Sequence, residues 1–292
     1  MTIRTAITVL FGIEHPILLA PMGHVAGGAV AAAVTRAGGL GIIGGGYGDQ
    51  DWLTRELAAA GNERIGIGFI TWSLARRPVL LDLALEHKPA ALFLSFGDAR
   101  PFIPRISRAQ SKLILQVQTL AEVREAKALG ADLIVVQGTE AGGHGTTQRA
   151  LFPFLPAAVD TAAPVPVLAA GGIADGRQIA AALLMGAAGV LIGTRFYAAQ
   201  ESLGHAKAKA RLVSSSGEQT LRTDTFDIIR ELDWPAHYTG RALANRLTQR
   251  WHGDSDALRQ HRATEVARFQ EAMATGGFDT GVIFAGEGLD LV

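Results

Sequence analysis

The sequence predicts an α/β protein, a (β/α)8 barrel with a C-terminal helical appendage. Three observations predict it. Eight short apolar runs recur along roughly the first two-thirds of the chain, and alanine-rich helical stretches lie between them. Each run plus its connection takes about 25 residues, the length of one β/α unit. The chain of 292 residues is also long enough to close one large core. A doubly wound sheet is the structural alternative, but it more often has five to seven strands.

The runs start at Ile17 (ILLAP), Leu40 (LGIIGG), Ile65 (IGIGFI), Ala91 (ALFLSF), Leu113 (LILQV), Asp132 (DLIVVQ), Val165 (VPVLAAGG) and Ala188 (AGVLIGT). Most are continuous rather than alternating, as expected of strands buried on both faces. Helices are expected over residues 27–37, 120–129 and 175–186. Asp175 suits the cap of the last, and Gly130 and Gly186 suit C-terminal stops. The barrel is assigned to residues 1–200. From Arg195 the alternation stops, charge becomes denser and no clear strand is visible. Residues 239–252 read as helix. Residues 201–292 are therefore expected to be a helical appendage that completes or covers the barrel mouth and does not fold independently.

Composition narrows the function classes. Apolar residues make up 48% and charged residues 18%, which excludes a disordered chain. The 27 basic and 27 acidic residues balance, so no charge excess points to nucleic acid or an anionic membrane. There is no cysteine. That removes disulfides, cysteine nucleophiles, Fe–S clusters and thiolate zinc sites, and it fits a reducing, cytoplasmic setting. The apolar patch at residues 6–13 is interrupted by Glu14, His15 and Pro16, a poor signal peptide. No run is long enough to span a bilayer. Oligomeric state is left open, with a homodimer among the options.

In such a barrel the active site lies at the C-terminal ends of the strands. Those ends carry glycine, amide and hydroxyl residues rather than carboxylates, a rim suited to a cofactor held by backbone groups. Gly171-Gly172 and Gly193-Thr194 follow the seventh and eighth strands, where barrels build phosphate sites. The G-x-G-x-x-G match at residues 39–44 lies inside a strand and is read as chance. Of eight histidines, His144 stands apart because it sits in the glycine loop QGTEAGGHG, residues 137–145, after a buried strand. A loop of that kind brings backbone close to a flat ligand and sets an acid/base group beside it. His24 is the runner-up on the rim, and His237 reaches the site only if the appendage folds over the mouth. Glu140 is read as support for the loop, Asp98 as a turn residue, and Trp72 as pocket wall or plain packing. No histidine pair has helical zinc spacing, so no metal site is expected.

The loop QGTEAGGHG, the opening PILLAPMG, the segment LSFGD, the stretch AAGGIADG and the strand end GTRF together resemble the nitronate monooxygenase (formerly 2-nitropropane dioxygenase) family. The resemblance covers residues 16–201, then continues through Trp234-Pro235, Arg241, Asn245 and residues 285–288. EAGGH is shared with the FMN-dependent enoyl-[acyl carrier protein] reductases. The resemblance implies a barrel that binds FMN non-covalently. It places Ala20, Pro21, Met22 and Gly23 by the isoalloxazine ring and gives Gln116 and Gln137 polar contacts to it. It sets Gly142-Gly143 at the flavin edge and Gly171, Gly172, Gly193 and Thr194 around the phosphate. His144 matches the catalytic histidine. At strand three, relatives often carry asparagine near Thr71, so a flavin contact from Thr71 is the point of departure.

The implied reaction is oxidation of alkyl nitronates or nitroalkanes by O2 to carbonyl compounds and nitrite, with His144 as general base or anion contact. The alternative keeps FMN but takes hydride from NAD(P)H to reduce enoyl thioesters or quinones. A non-catalytic flavin- or phosphate-binding barrel is the third reading. Inosine-monophosphate-dehydrogenase chemistry is excluded, because it needs a cysteine.

Overall fold

The computed structural model describes residues 3–292. Eight parallel strands form the barrel: β1 (Ile17–Leu19), β2 (Ile42–Gly44), β3 (Gly66–Ile70), β4 (Ala91–Ser95), β5 (Lys112–Val117), β6 (Leu133–Gln137), β8 (Val167–Ala170) and β9 (Gly189–Ile192). The short β7 (Gly143–Gly145) interrupts the series. The hydrogen-bonded order is β1-β9-β8-β6-β5-β4-β3-β2, and a parallel bridge between Leu18 and Leu40 closes the ring. All eight predicted runs became strands.

Continuous apolar runs serve two cores at once, because side chains alternate across a strand. In β6, Leu133 and Val135 point into the barrel with Leu18, Ile42, Phe93, Ile114 and Leu168. Ile134 and Val136 face outward with Phe154, Leu155 and Val123 from the helical layer. Residues 6–13, read only as a poor signal peptide, contain the helix Ala6–Phe11. Its Ile7 and Phe11 join the inner cluster beside Gly189, the first residue of β9, and so close the end opposite the active face. Burying each contributes about 1.5–3 kcal/mol.

The appendage differs from expectation. Residues 239–252 are not one helix: β11 (Thr239–Leu243) comes first, and the helix Arg246–Trp251 starts only after the Asn245 cap. β11 pairs antiparallel with β10 (Thr220–Thr223) on one side and with β7 on the other. One of its two partners, β7, lies almost a hundred residues earlier, a pairing that a local pattern cannot show. A 21-residue helix, Ser255–Thr275, then packs Leu258 and Phe269 onto Phe226, Ile229 and Leu247. Among the described residues no helix is long and apolar enough to cross a membrane.

Candidate functional site

At the C-terminal ends of the barrel strands lies a cavity of about 620 Å³, within the range of small-molecule sites. Ala20, Pro21, Met22, Gly23, Gln116, Gln137, Gly142, Gly143, His144, Gly171, Gly172, Gly193 and Thr194 all line it. Thr71 does not. It is buried at the start of a one-turn helix, and its hydroxyl has no hydrogen-bond partner. The structure thus does not bring Thr71 to this cavity with the other expected site residues. Trp72 also lies off the cavity and packs at 5.4 Å edge-on to Trp234.

The glycines give one wall its flatness. Gly143 has φ +71 and a Cβ there would meet nothing within 4 Å, so any side chain would be strained and would take up cavity space. Gly172 and Gly193 line the same space, and among the described residues their amides donate to no protein acceptor. The Thr194 hydroxyl oxygen accepts from Gly286 N at 3.0 Å, which ties the C-terminal tail to this loop. Asp175 caps the helix Gly176–Leu184 through Arg177 N and Gln178 N, and Gln178 closes the box by accepting from Ala174 N and Asp175 N. The Arg177 and Gln178 amides of that first turn are thus already used.

His144 sits in β7, opposite Gly240 of β11. Its Nε2 lies 2.9 and 2.8 Å from the two carboxylate oxygens of Asp227, both side chains being buried. The carboxylate fixes the tautomer with hydrogen on Nε2. Nδ1 makes no hydrogen bond and stays accessible from the cavity. Burial lowers the His144 pKa, outweighing the upward pull of Asp227, and Arg230 and Arg222 push the same way as burial. The ring is clamped by Trp234, stacked at 3.6 Å and 4° from parallel, with Phe284 at 5.4 Å. The result is a neutral imidazole of fixed plane with one lone pair presented to the cavity.

The loop around His144 is rigidly tied. Gln137 Oε1 accepts from Gln116 Nε2 at 3.1 Å and Gln118 Nε2 at 2.7 Å, and Gln137 Nε2 donates to the His144 carbonyl at 3.0 Å. Both oxygens of Glu140 accept from Leu151 N at 2.9 and 3.0 Å, consistent with a supporting role. From the appendage, Arg222 donates to the carbonyls of Thr139, Ala141, Gly145 and Thr239. Burial lowers its pKa to about 10, where it is still a cation at neutral pH. Arg241 adds a bond from Nε to the Thr139 carbonyl.

Of the other rim candidates, His24 lines the cavity edge-on to Trp52 at 5.4 Å, and burial lowers its pKa. His237 is exposed and lies off the cavity. From the segment after residue 200 the cavity is lined instead by residues that include Arg230, Trp234 and Phe284. Asp98 accepts from Arg100 N as a turn residue. Sequence reasoning missed Asp227, Arg222, Arg230 and Phe284, all in the segment read as helical cover. Their only local signal was the denser charge after Arg195. Among the described residues no group of three or more His, Cys, Asp or Glu is placed to hold a metal ion.

Comparison with known proteins agrees with this geometry. The nitronate monooxygenase family profile matches residues 4–62 and 75–292. The unmatched stretch holds Thr71, where the sequence departs from the resemblance. A nitronate monooxygenase from Neurospora crassa is 30% identical, over 96% of this chain and 85% of that protein. The (3aS,4S,5R,7aS)-5-hydroxy-7a-methyl-1-oxo-octahydro-1H-indene-4-carboxyl-CoA dehydrogenase of Mycobacterium tuberculosis is 34% identical over 78% of this chain. The match spans 65% of that dehydrogenase's length. Among solved structures, FabK from Thermotoga maritima superposes with a TM-score of 0.85 at 29% identity, covering 100% of this chain and 91% of that one. With a profile match over most of its length and a barrel of the same architecture, the chain belongs to the nitronate monooxygenase family.

Proposed function

We propose that the protein is an FMN-dependent oxidoreductase that uses O2 to oxidise alkyl nitronates and nitroalkanes to carbonyl compounds and nitrite. The observation that carries this is the Asp227–His144 pair, which leaves Nδ1 unprotonated toward a glycine-walled cavity. The residues fit the flavin nucleotide: the glycine wall admits a flat ring system, and the unused amides of Gly172 and Gly193 suit a phosphate. Ala20 to Gly23, Gln116, Gln137, Gly142 and Gly143 would hold the ring, with Gly171 and Thr194 completing the phosphate site. When bound, FMN supplies the redox chemistry of the reaction.

The chain's own residues perform the proton step. A neutral nitroalkane must lose its α-proton before oxidation. His144 Nδ1 takes it, and the C–H electron pair moves into the C=N bond of the nitronate. Asp227 stabilises the imidazolium that forms, and Trp234 and Gln137 keep its plane and backbone fixed. A cytoplasmic location and a small-molecule substrate belong to the same proposal. Purified protein should carry flavin absorbance and release FMN on denaturation. His144→Ala should keep the flavin and lose about 10²–10⁴-fold of nitroalkane turnover, and unchanged turnover would remove His144 from the step.

A second reading has its own observation. The cavity is also lined by Phe269, Met273, Phe278 and Val282, an apolar set that suits a larger acyl or ring substrate than a small nitroalkane. Together with the relative that acts on a CoA ester, this favours NAD(P)H-dependent reduction of an enoyl thioester or quinone. Anaerobic mixing separates the two. Flavin bleached by NADPH and not by a nitronate selects the reductase.

A further inference from the structure

Arg230 neither takes nor gives the proton, yet its position is unusual. It follows the helix Thr225–Ile229 that carries Asp227, and its guanidinium lines the cavity. The guanidinium carbon lies 5.2 Å from the ring centroid of Tyr47 and 5.6 Å from that of Phe284. Its Nη1 is sealed from solvent and has no hydrogen-bond partner. The nearest carboxylate oxygen, Asp227 Oδ1, is 3.9 Å away, too far for a hydrogen bond, and both oxygens of Asp227 already serve His144. A largely buried guanidinium with an N–H that has no acceptor carries a desolvation cost that a well-placed anion relieves.

We propose that Arg230 is an oxyanion-binding site of this cavity, and that its ligand is a planar anion with two oxygens on one atom, such as a nitronate. A guanidinium matches that shape with two parallel N–H donors, where an ammonium offers a point charge. The identity of the anion rests on the nitronate reading; the site itself does not. In the proton step the α C–H bond breaks and the proton goes to His144 Nδ1. The electron pair enters C=N, and the charge arrives on the two nitro oxygens. Arg230 receives that charge as it develops, so its contribution is greater in the transition state than with neutral substrate. The charge of Arg230 also disfavours protonation of His144 and His24, as expected of a cation facing the same space.

Butyrate, an unreactive anion of the same shape as a short nitronate, tests the site by calorimetric titration of the purified protein. Arg230→Met should weaken butyrate binding by at least about tenfold. The same variant should raise KM for butane-1-nitronate by a similar factor. For neutral 1-nitrobutane it should lower kcat more than it raises KM. Arg230→Lys, which keeps the charge and guards against misfolding of the first variant, should fall between the two. Butyrate affinity and nitronate KM within twofold of the parent in both variants, or no butyrate binding to the parent, would overturn the proposal. Arg230-dependent butyrate binding without nitronate turnover would keep the site and reject the substrate.

Discussion

His144 was legible in the sequence because a lone histidine among four glycines at a strand's end has few structural uses. Its partner was not. Asp227 lies 83 residues later, in a stretch whose pattern carries no motif. The pair makes two predictions. Asp227→Asn should retain flavin but lower kcat for nitroalkanes by about 10²–10⁴-fold, because an amide no longer fixes the tautomer or balances the imidazolium. Burial holds the His144 pKa below its ordinary 6.5. A base must be neutral, so kcat/KM for a neutral nitroalkane should climb with pH through an ionisation below 6.5 and be flat above it. A midpoint above 6.5 would contradict this environment. Asp227→Asn removes the upward pull, so its midpoint should fall further. Stability follows the same sign. Above pH 6.5 both folded and unfolded chains hold neutral His144. Below it the unfolded chain takes up a proton first, and the folded state loses stability.

At the scale of elements, the barrel strands were readable because each is a continuous apolar run buried on both faces. The sheet of β7, β10 and β11 was not, since β7 is only Gly-His-Gly and its pairing is entirely non-local. The glycine loop is held by that pairing and by the carbonyls bound to Arg222. Arg222→Met keeps the stem and removes the donors, leaving buried carbonyls unpaired. Urea unfolding should show a loss of about 2–3 kcal/mol, and nitroalkane turnover should fall with flavin content largely kept. A stability within 0.5 kcal/mol of the parent would show that the clamp is dispensable. The Asp175 cap was read correctly from its spacing, but its consequence was not. A helix start that caps itself has fewer amides to offer an anion.

For the whole molecule, the sequence placed a boundary near residue 200, and the sheet of β7, β10 and β11 crosses it. We propose that neither side folds alone. A chain ending at residue 200 would expose the edge of β7 and uncover the apolar faces of Tyr197 and Met22 that now meet Leu243 and Ile283. It should bind a hydrophobic dye and lack a cooperative thermal transition, and a sharp transition would reject the proposal. The same closure lays Trp234 flat against His144 at 3.6 Å. An indole excited by light gives up an electron readily to a cationic imidazolium and poorly to a neutral imidazole. The stacked pair should therefore act as an internal dimmer whose fluorescence falls when His144 holds a proton, so the proposed acid/base step would be written in the emission of a residue that takes no proton itself.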